Sequence, residues 1–282
     1  MKQYLCKLFT VKLVLLVDAV TQFSTASKRH PFHGFSKRTT TMSSSNQAPK
    51  WFPLESNPEL INEYIQKLGF DTSLYEFCDV YSTEDWALAM IPRPVAAVLL
   101  LYPLTDKITK QPTKDGDSGN IATDAMQDQV WFMHQRIGNA CGTIGLLHAT
   151  MNAPEALRTF APDSWMAQFA EDCPIPLDPY AKADRLEADT KIAKLHDDAT
   201  SSESNATRRP DIEERVETHF AALVHVGGSL YELDGRKAGP VRHGPTTQAN
   251  LLKDACQVIQ KIMARDPTES RFAITALAPK QI

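Results

Sequence analysis

The sequence lacks the features of a membrane protein and of a protein stabilised by disulfide bonds or structural metal ions. No apolar run approaches the roughly 18 residues of a membrane span, because the best candidate is interrupted by Lys12 and Asp18. The cysteines are few, odd in number and far apart, without a CxxC pair. We therefore expect free thiols, no metal and no cofactor. The five cysteines are Cys6, Cys78, Cys141, Cys173 and Cys256.

Strong charge of one sign is also lacking, since the formal net charge is only -4 over 282 residues. The charge is unevenly distributed along the chain. Residues 1–41 carry seven basic side chains and one acidic side chain, Asp18, so the net charge of residues 42–282 is -10. An acidic body makes nucleic acid a poor partner and a basic protein surface a better one. With 43% hydrophobic residues, the body can bury a full core.

The N-terminal residues 1–48 are basic and rich in serine and threonine. This composition is typical of a transit peptide more than of a secretory signal or a folded element. A further interpretation is that the physiological chain starts at Met42. We expect residues 1–48 to be a disordered, targeting or non-physiological extension. We expect residues 49–282 to be one domain, monomeric and located in the cytoplasm, with the nucleus as a second location.

The body mixes helical and strand patterns, which predicts an α+β fold. A capping box at Ser56–Glu59 predicts an amphipathic helix that ends at Gly69, and the apolar run Val95–Tyr102 predicts a buried strand. Further helices are expected at about 84–91, 141–152, 163–171, 178–195 (with Asp178 as cap) and 247–264, further strands at 73–81 and 271–277, and loops at 105–128 and 196–209.

A hairpin is predicted where Gly227-Gly228 separates two strand-like runs, because the favoured two-residue turns need positive φ. In this register opposed residue numbers sum to 455, so Ala221 faces Asp234. His219 then lies on the same face as Asp234 and is its diagonal neighbour, within side-chain reach. The register therefore selects His219 as an imidazole that a carboxylate can orient, and leaves His225 as a structural residue.

The segment from Gln135 to His148 predicts a nucleophilic cysteine. Cys141 lies where a turn containing glycine and asparagine becomes a helix, and free N–H groups and the helix dipole there favour thiolate over thiol. Six residues earlier, the Gln135 amide could join the Cys141 backbone N–H in binding an oxyanion. A buried helical cysteine beside a structural glutamine is an equally open interpretation at this point.

Other histidines and cysteines are weaker candidates. His134 and His148 could each approach the thiol as an alternative base, and His243 is expected to be a solvated turn residue. For Cys78, Cys173 and Cys256 we expect a packing role only.

In its motifs the sequence resembles the small ubiquitin C-terminal hydrolases, a family of papain-like thiol hydrolases. The resemblance runs from Trp51 to about Ala278, in this order: Pro53–Glu59, Pro92–Val95, Gln135–Gly142, His219-Phe220, Tyr231–Arg236 and His243-Gly-Pro. It implies Cys141 as nucleophile, His219 as general base and acid, Asp234 as orienting carboxylate and Gln135 in the oxyanion hole.

The resemblance further implies an antiparallel sheet between helices, a knotted backbone and an active-site crossover loop at about 197–215. Such an enzyme cleaves small adducts or short flexible tails from the C-terminal glycine of ubiquitin. The resemblance also implies that the substrate contacts Leu54, Glu55, Ser56, Asn57 and Pro58. Two alternatives stay open: a hydrolase of another ubiquitin-like modifier, and a non-catalytic protein that binds monoubiquitin.

Overall fold

The computed structural model describes residues 49–110, 120–121, 128–201, 212 and 214–281. Its helices are α1 (Pro58–Leu68), α2 (Asp85–Leu88), α3 (Asp106–Thr109), α4 (Cys141–Met151), α5 (Trp165–Asp172), α6 (Pro179–Ala188), α7 (Thr190–Thr200) and α8 (Leu251–Met263), with a 3₁₀ turn at Glu155–Leu157. Its strands are β1 (Tyr75–Asp79), β2 (Ala97–Pro103), β3 (Asn120–Ile121), β4 (Thr218–Val226), β5 (Ser229–Leu233), β6 (Val241–Pro245) and β7 (Ala273–Pro279).

The strands form a sheet in the order β1-β7-β2-β4-β5-β6-β3, with every pair antiparallel. Apolar residues of the central strand β2 alternate between two cores, because successive side chains of a strand point to opposite faces. Ala97 and Leu99 belong to the core that contains α1 and α4. Val98 and Leu100 belong to the core that contains α8. The predicted antiparallel sheet flanked by helices is confirmed.

The predicted hairpin is confirmed with its register. Leu223 pairs with Glu232 and His225 with Leu230, and both turn glycines have positive φ. Because this turn fixes which residues oppose each other, it also fixes the position of His219 relative to Asp234.

Helix caps agree with the prediction at one site and differ by one residue at another. Asp178 caps α6 by accepting hydrogen bonds from the amides of Tyr180 and Ala181, as predicted. At α1 the cap is Asn57, which accepts from the Glu59 amide, so the prediction of Ser56 in that role was wrong. The dipeptide Asn57-Pro58 suits an N-cap followed by proline in the first turn.

The predicted helix at 178–195 and the predicted loop at 196–209 were both wrong in extent. The helical segment is broken at Asp189, whose side chain accepts hydrogen bonds from the Lys191 and Ile192 amides and so starts α7. Helix α7 then continues to Thr200, because His196 and Ala199 pack inward despite their polar neighbours. The predicted loop at 105–128 likewise contains the short helix α3 and strand β3.

Several predictions fall outside the described residues. These are the predictions for residues 1–48 and for most of the crossover loop at about 197–215, whose residues 202–211 and 213 are not described. The backbone knot stays a prediction as well.

Candidate active site

Cys141 is the first residue of helix α4, as the sequence predicts. The helix has no side-chain cap, since the preceding residue is Ala140 and alanine offers no acceptor for the first amides. These amides therefore stay available to a negative charge at the helix N-terminus. The uncapped N-terminus of α4 therefore favours a negative charge at Cys141.

Strand β4 carries the histidine that meets this thiol. His219 Nε2 lies 2.6 Å from Asp234 Oδ1, and both side chains are buried. The same imidazole interacts with the Cys141 thiol closely enough to shift the pKa values of both groups. The structure thus brings three of the four predicted site residues together, in the order Cys141, His219 and Asp234.

The pKa shifts at the site describe a thiolate–imidazolium pair. Burial opposes the thiolate, yet the hydrogen bond and charge of His219 and the backbone of Phe220 and Gly142 leave the pKa of Cys141 below its ordinary value. Burial also opposes the imidazolium, but Asp234 and Cys141 together raise the pKa of His219 to about 9. Despite its burial, Asp234 has a lowered pKa because His219 and the Arg236 amide stabilise its charge. These interactions therefore favour the nucleophilic thiolate form of Cys141 over the neutral thiol.

Gln135 lies against the loop that follows Asp234. Its main-chain N–H donates to the Gly235 carbonyl at 2.8 Å, and a Cβ on Gly235 would lie 3.0 Å from that nitrogen, so the two loops pack backbone to backbone. The Gln135 side-chain amide donates to the Ile137 carbonyl at 3.1 Å. A primary amide has two N–H groups, so a second donor remains for an oxyanion.

The predicted substrate segment lies next to the nucleophile. Leu54 is buried and packs closely on the first turn of α4. A Cβ atom added to Gly142 would lie only 2.7 Å from the Cβ of Leu54. Asn57 caps α1, and Glu55, Ser56 and Pro58 are half-buried. Substrate contact by Leu54–Pro58 stays a prediction.

Of the other histidines, His148 and His134 are not placed as the base. His148 is buried against the main chain of Met133, and burial lowers its pKa to about 4. His134 stacks on Tyr180 with ring centroids 3.9 Å apart.

The prediction for His243 was wrong, because the residue lies in strand β6 and is not a solvated turn residue. Its Nε2 lies 2.9 Å from Oε2 of the buried Glu232. The partner comes from the neighbouring strand β5, and a sequence pattern around His243 alone does not contain it.

Tyr102 is a site residue that the sequence reasoning missed. Its hydroxyl donates to Asp234 Oδ2 at 2.9 Å, and its ring packs edge-on against His219 at 5.7 Å. The two residues are paired across strands β2 and β4. The sequence identifies β2 as a strand, but only the pairing of two distant strands places Tyr102 here.

We expect Tyr102→Phe to lower kcat/KM by about 3- to 10-fold, because the Asp234 carboxylate loses one of its hydrogen bonds and keeps those from His219 and the Arg236 amide. Steady-state hydrolysis of the ubiquitin amide measures this loss, and the unfolding temperature of each protein shows whether the variant is stably folded. Tyr75→Phe in strand β1 is the control, since it removes a tyrosine hydroxyl far along the sheet. Equal rates for wild type and Tyr102→Phe would contradict the role of this hydroxyl.

Among the described side chains, no three His, Cys, Asp or Glu residues lie close enough together to hold a metal ion. In the described part of the chain, no helix is both long and apolar enough to cross a membrane.

Comparison with known proteins gives consistent results. The family model described as "Ubiquitin carboxyl-terminal hydrolase, family 1" matches residues 51–264. Ubiquitin carboxyl-terminal hydrolase 3 of Arabidopsis thaliana is 39% identical over 240 residues, which cover 85% of this chain and 99% of the relative. The human ubiquitin carboxyl-terminal hydrolase isozyme L1 is 36% identical over 225 residues, or 80% of this chain and 96% of the relative.

A similar fold is found among solved structures. The Trichinella spiralis UCH37 catalytic domain, bound to ubiquitin vinyl methyl ester, superimposes with a TM-score of 0.65. The match covers 82% of this chain and 96% of that chain at 22% sequence identity. At this identity the match supports the fold alone.

Proposed function

The chain belongs to family 1 of the ubiquitin carboxyl-terminal hydrolases, which are cysteine-dependent deubiquitinases, and we propose that it cleaves small or flexible adducts from the C-terminal glycine of ubiquitin. The observation that carries this proposal is the series Cys141–His219–Asp234 at the N-terminus of α4. Such a series favours a thiolate nucleophile with a proton donor beside it.

In the first half of the reaction, the Cys141 thiolate attacks the glycine carbonyl carbon and forms a tetrahedral oxyanion. The Gln135 amide and the Cys141 backbone N–H stabilise this oxyanion. As the intermediate collapses, the bond to the leaving group breaks and His219 gives its proton to the departing amine, alcohol or thiol. Ubiquitin is then held as a thioester on Cys141.

In the second half, a water molecule attacks the thioester while neutral His219 takes one of its protons. Collapse of the second tetrahedral intermediate releases ubiquitin with a free carboxylate and restores the thiolate–imidazolium pair. Asp234 holds the imidazole in one orientation and stabilises its charged form throughout.

The limit to small or flexible leaving groups is supported by where the crossover segment begins and ends. On one side, His196 of α7 contacts Thr143, two residues after the nucleophile. On the other side, the chain enters β4 at Thr218, directly before His219. The described residues on both sides of the crossover segment therefore lie at the site, which supports a limit to small or flexible leaving groups.

Ubiquitin as the preferred modifier is tested by parallel hydrolysis of C-terminal fluorogenic amides of ubiquitin and of other ubiquitin-like modifiers. We expect the full chain to turn over the ubiquitin amide fastest, and to cleave ubiquitin carrying a short peptide tail faster than ubiquitin fused to a folded domain. A higher kcat/KM for another modifier would favour the alternative hydrolase. Binding of ubiquitin without turnover would favour the non-catalytic alternative.

A further inference from the structure

A second hydrogen-bonded series of buried groups lies beside the catalytic one and includes His196, a residue that the reaction does not use. His196 is 1% exposed on α7. Its Nδ1 lies 2.9 Å from the Thr143 hydroxyl, and its Nε2 lies 2.7 Å from the Phe52 carbonyl oxygen. The Tyr64 hydroxyl lies 3.1 Å from the same Thr143 hydroxyl. One imidazole thus joins helix α7, the first turn of α4 and the segment that precedes α1.

The segment Pro49–Leu54, here named the brace, supports the loop that leads to the nucleophile. The Gly138 amide donates to the Pro49 carbonyl at 2.9 Å, and the Trp51 amide donates back to the Gly138 carbonyl at 2.8 Å. The Asn139 side chain donates to the Trp51 carbonyl at 3.0 Å. These bonds act on the residues immediately before Cys141.

Backbone conformation shows why this loop needs support. Asn139 has a φ of 61°, a left-handed conformation that costs free energy for a residue with a side chain and persists only where the surroundings hold it. The Asn139 side chain itself donates one of the hydrogen bonds that join this loop to the brace. If the brace shifts, the loop can relax and move the Cys141 amide, which is one of the two oxyanion donors.

The hydrogen-bond chemistry fixes the direction of the series. The Phe52 carbonyl only accepts, so His196 Nε2 donates to it, and Nδ1 of the neutral ring then accepts from the Thr143 hydroxyl. Burial raises the pKa of Tyr64, so its hydroxyl keeps its proton and donates to Thr143. Each of these three donors has an acceptor. Removing His196 leaves the Thr143 hydroxyl without its acceptor, and removing Thr143 leaves the Tyr64 hydroxyl without its acceptor.

Aromatic packing adds rigidity at the same point. The ring centroids of Trp51 and His196 lie 4.5 Å apart. The Tyr64 ring packs edge-on against the His196 ring, with 6.0 Å between the centroids. His196 is therefore fixed between the brace and α1 by packing as well as by hydrogen bonds.

We propose that His196 is a positioning residue for acyl transfer, which fixes the brace to the first turn of α4 through Phe52 and Thr143 and so holds the Cys141 amide in oxyanion-binding geometry. The inference rests on the proposed hydrolase function and adds a residue to its machinery. His196 acts through the brace and α4, and His219 alone exchanges protons with the substrate.

The test compares His196→Leu, which removes both bonds, with His196→Gln, whose amide nitrogen can take the place of Nε2 and donate to Phe52. We expect kcat on the ubiquitin amide to fall by about 10- to 100-fold in His196→Leu, because a displacement of about 1 Å at an oxyanion donor has this effect. KM should change little, and His196→Gln should recover part of kcat. Thr143→Val should lose kcat as His196→Leu does, whereas Thr143→Ser, which keeps the hydroxyl, should retain it.

Two further measurements separate positioning from stability and from nucleophile activation. Ile192→Val, one turn earlier on α7 and fully buried, should lower the unfolding temperature without changing kcat. The rate of Cys141 alkylation by iodoacetamide should stay within about 2-fold of wild type in His196→Leu, since the thiolate–imidazolium pair is intact.

The proposal is overturned if His196→Leu keeps its kcat, if alkylation falls in parallel with kcat, or if Ile192→Val loses kcat to the same extent. An inactive wild-type chain would overturn the proposed function and this inference together. An active wild type with an equally active His196→Leu would overturn this inference alone.

Discussion

The Cys141→Ala chain is expected to bind ubiquitin and to hydrolyse its C-terminal amide more slowly than wild type by more than about 10⁴-fold, as for removal of other catalytic nucleophiles. The thiol is at the helix N-terminus, and its interaction with His219 lowers its pKa, so its loss removes the nucleophile of the proposed reaction. Steady-state kinetics and calorimetric titration with ubiquitin measure the two halves of this expectation.

The chain supplies its own controls for this experiment. The pKa of Cys78, of Cys173 and of Cys256 is raised to about 11, in each case mainly by burial. These thiols are protonated at neutral pH and poorly reactive. Cys78→Ala should therefore keep wild-type turnover. Residual turnover by Cys141→Ala at more than a small fraction of the wild-type rate, or loss of turnover in Cys78→Ala, would contradict the assignment.

Asp234→Asn is expected to lower kcat by about 10²- to 10⁴-fold, because the neutral amide neither stabilises the imidazolium nor holds the same tautomer. Steady-state hydrolysis of the ubiquitin amide measures this loss. Asp266→Asn, in a turn where the carboxylate pairs with Lys107, should leave kcat unchanged.

The pH dependence of Cys141 alkylation gives a second readout of Asp234. The carboxylate helps to raise the pKa of His219 to about 9, and the charged imidazole in turn lowers the pKa of Cys141. Removing the carboxylate charge lowers the pKa of His219 and weakens this support for the thiolate. The alkylation curve of Asp234→Asn should therefore shift to higher pH than that of wild type. An unshifted curve together with unchanged kcat would contradict the orienting role.

The part of the site that local pattern controls could be predicted from the sequence. The Gly227-Gly228 turn fixes the register of a two-strand hairpin, and the register places His219 within reach of Asp234. Likewise, a turn with glycine and asparagine before an apolar helical pattern locates the start of α4 at Cys141. Both inferences depend on neighbours along the chain, which is why they needed no knowledge of the tertiary structure.

The rest depends on contacts between distant segments. Tyr102 reaches Asp234 only because β2 pairs with β4, and the strand pattern of β2 does not identify its neighbour. The environment of His243 is set by Glu232 on another strand. The charged neighbours of His196 predict a polar loop, whereas its contacts with Phe52 and Thr143 stabilise a helix there.

The break between α6 and α7 is a different case, because its signal was in the sequence. Asp189-Thr190 lies inside the predicted helix 178–195, and aspartate is a favoured residue for the N-cap of a second helix. The structure shows this cap, and the Trp165 indole also donates to the Asp189 carboxylate at 2.6 Å.

The central claim is that ubiquitin is held as a thioester on Cys141 during turnover. The most direct test mixes the full chain with the ubiquitin amide in a single turnover, quenches with acid within the burst phase and determines the intact mass, followed by peptide mapping. The account predicts a covalent adduct of ubiquitin on Cys141 that hydroxylamine releases and that Cys141→Ala does not form. Turnover without such an adduct, or an adduct on another residue, would contradict it.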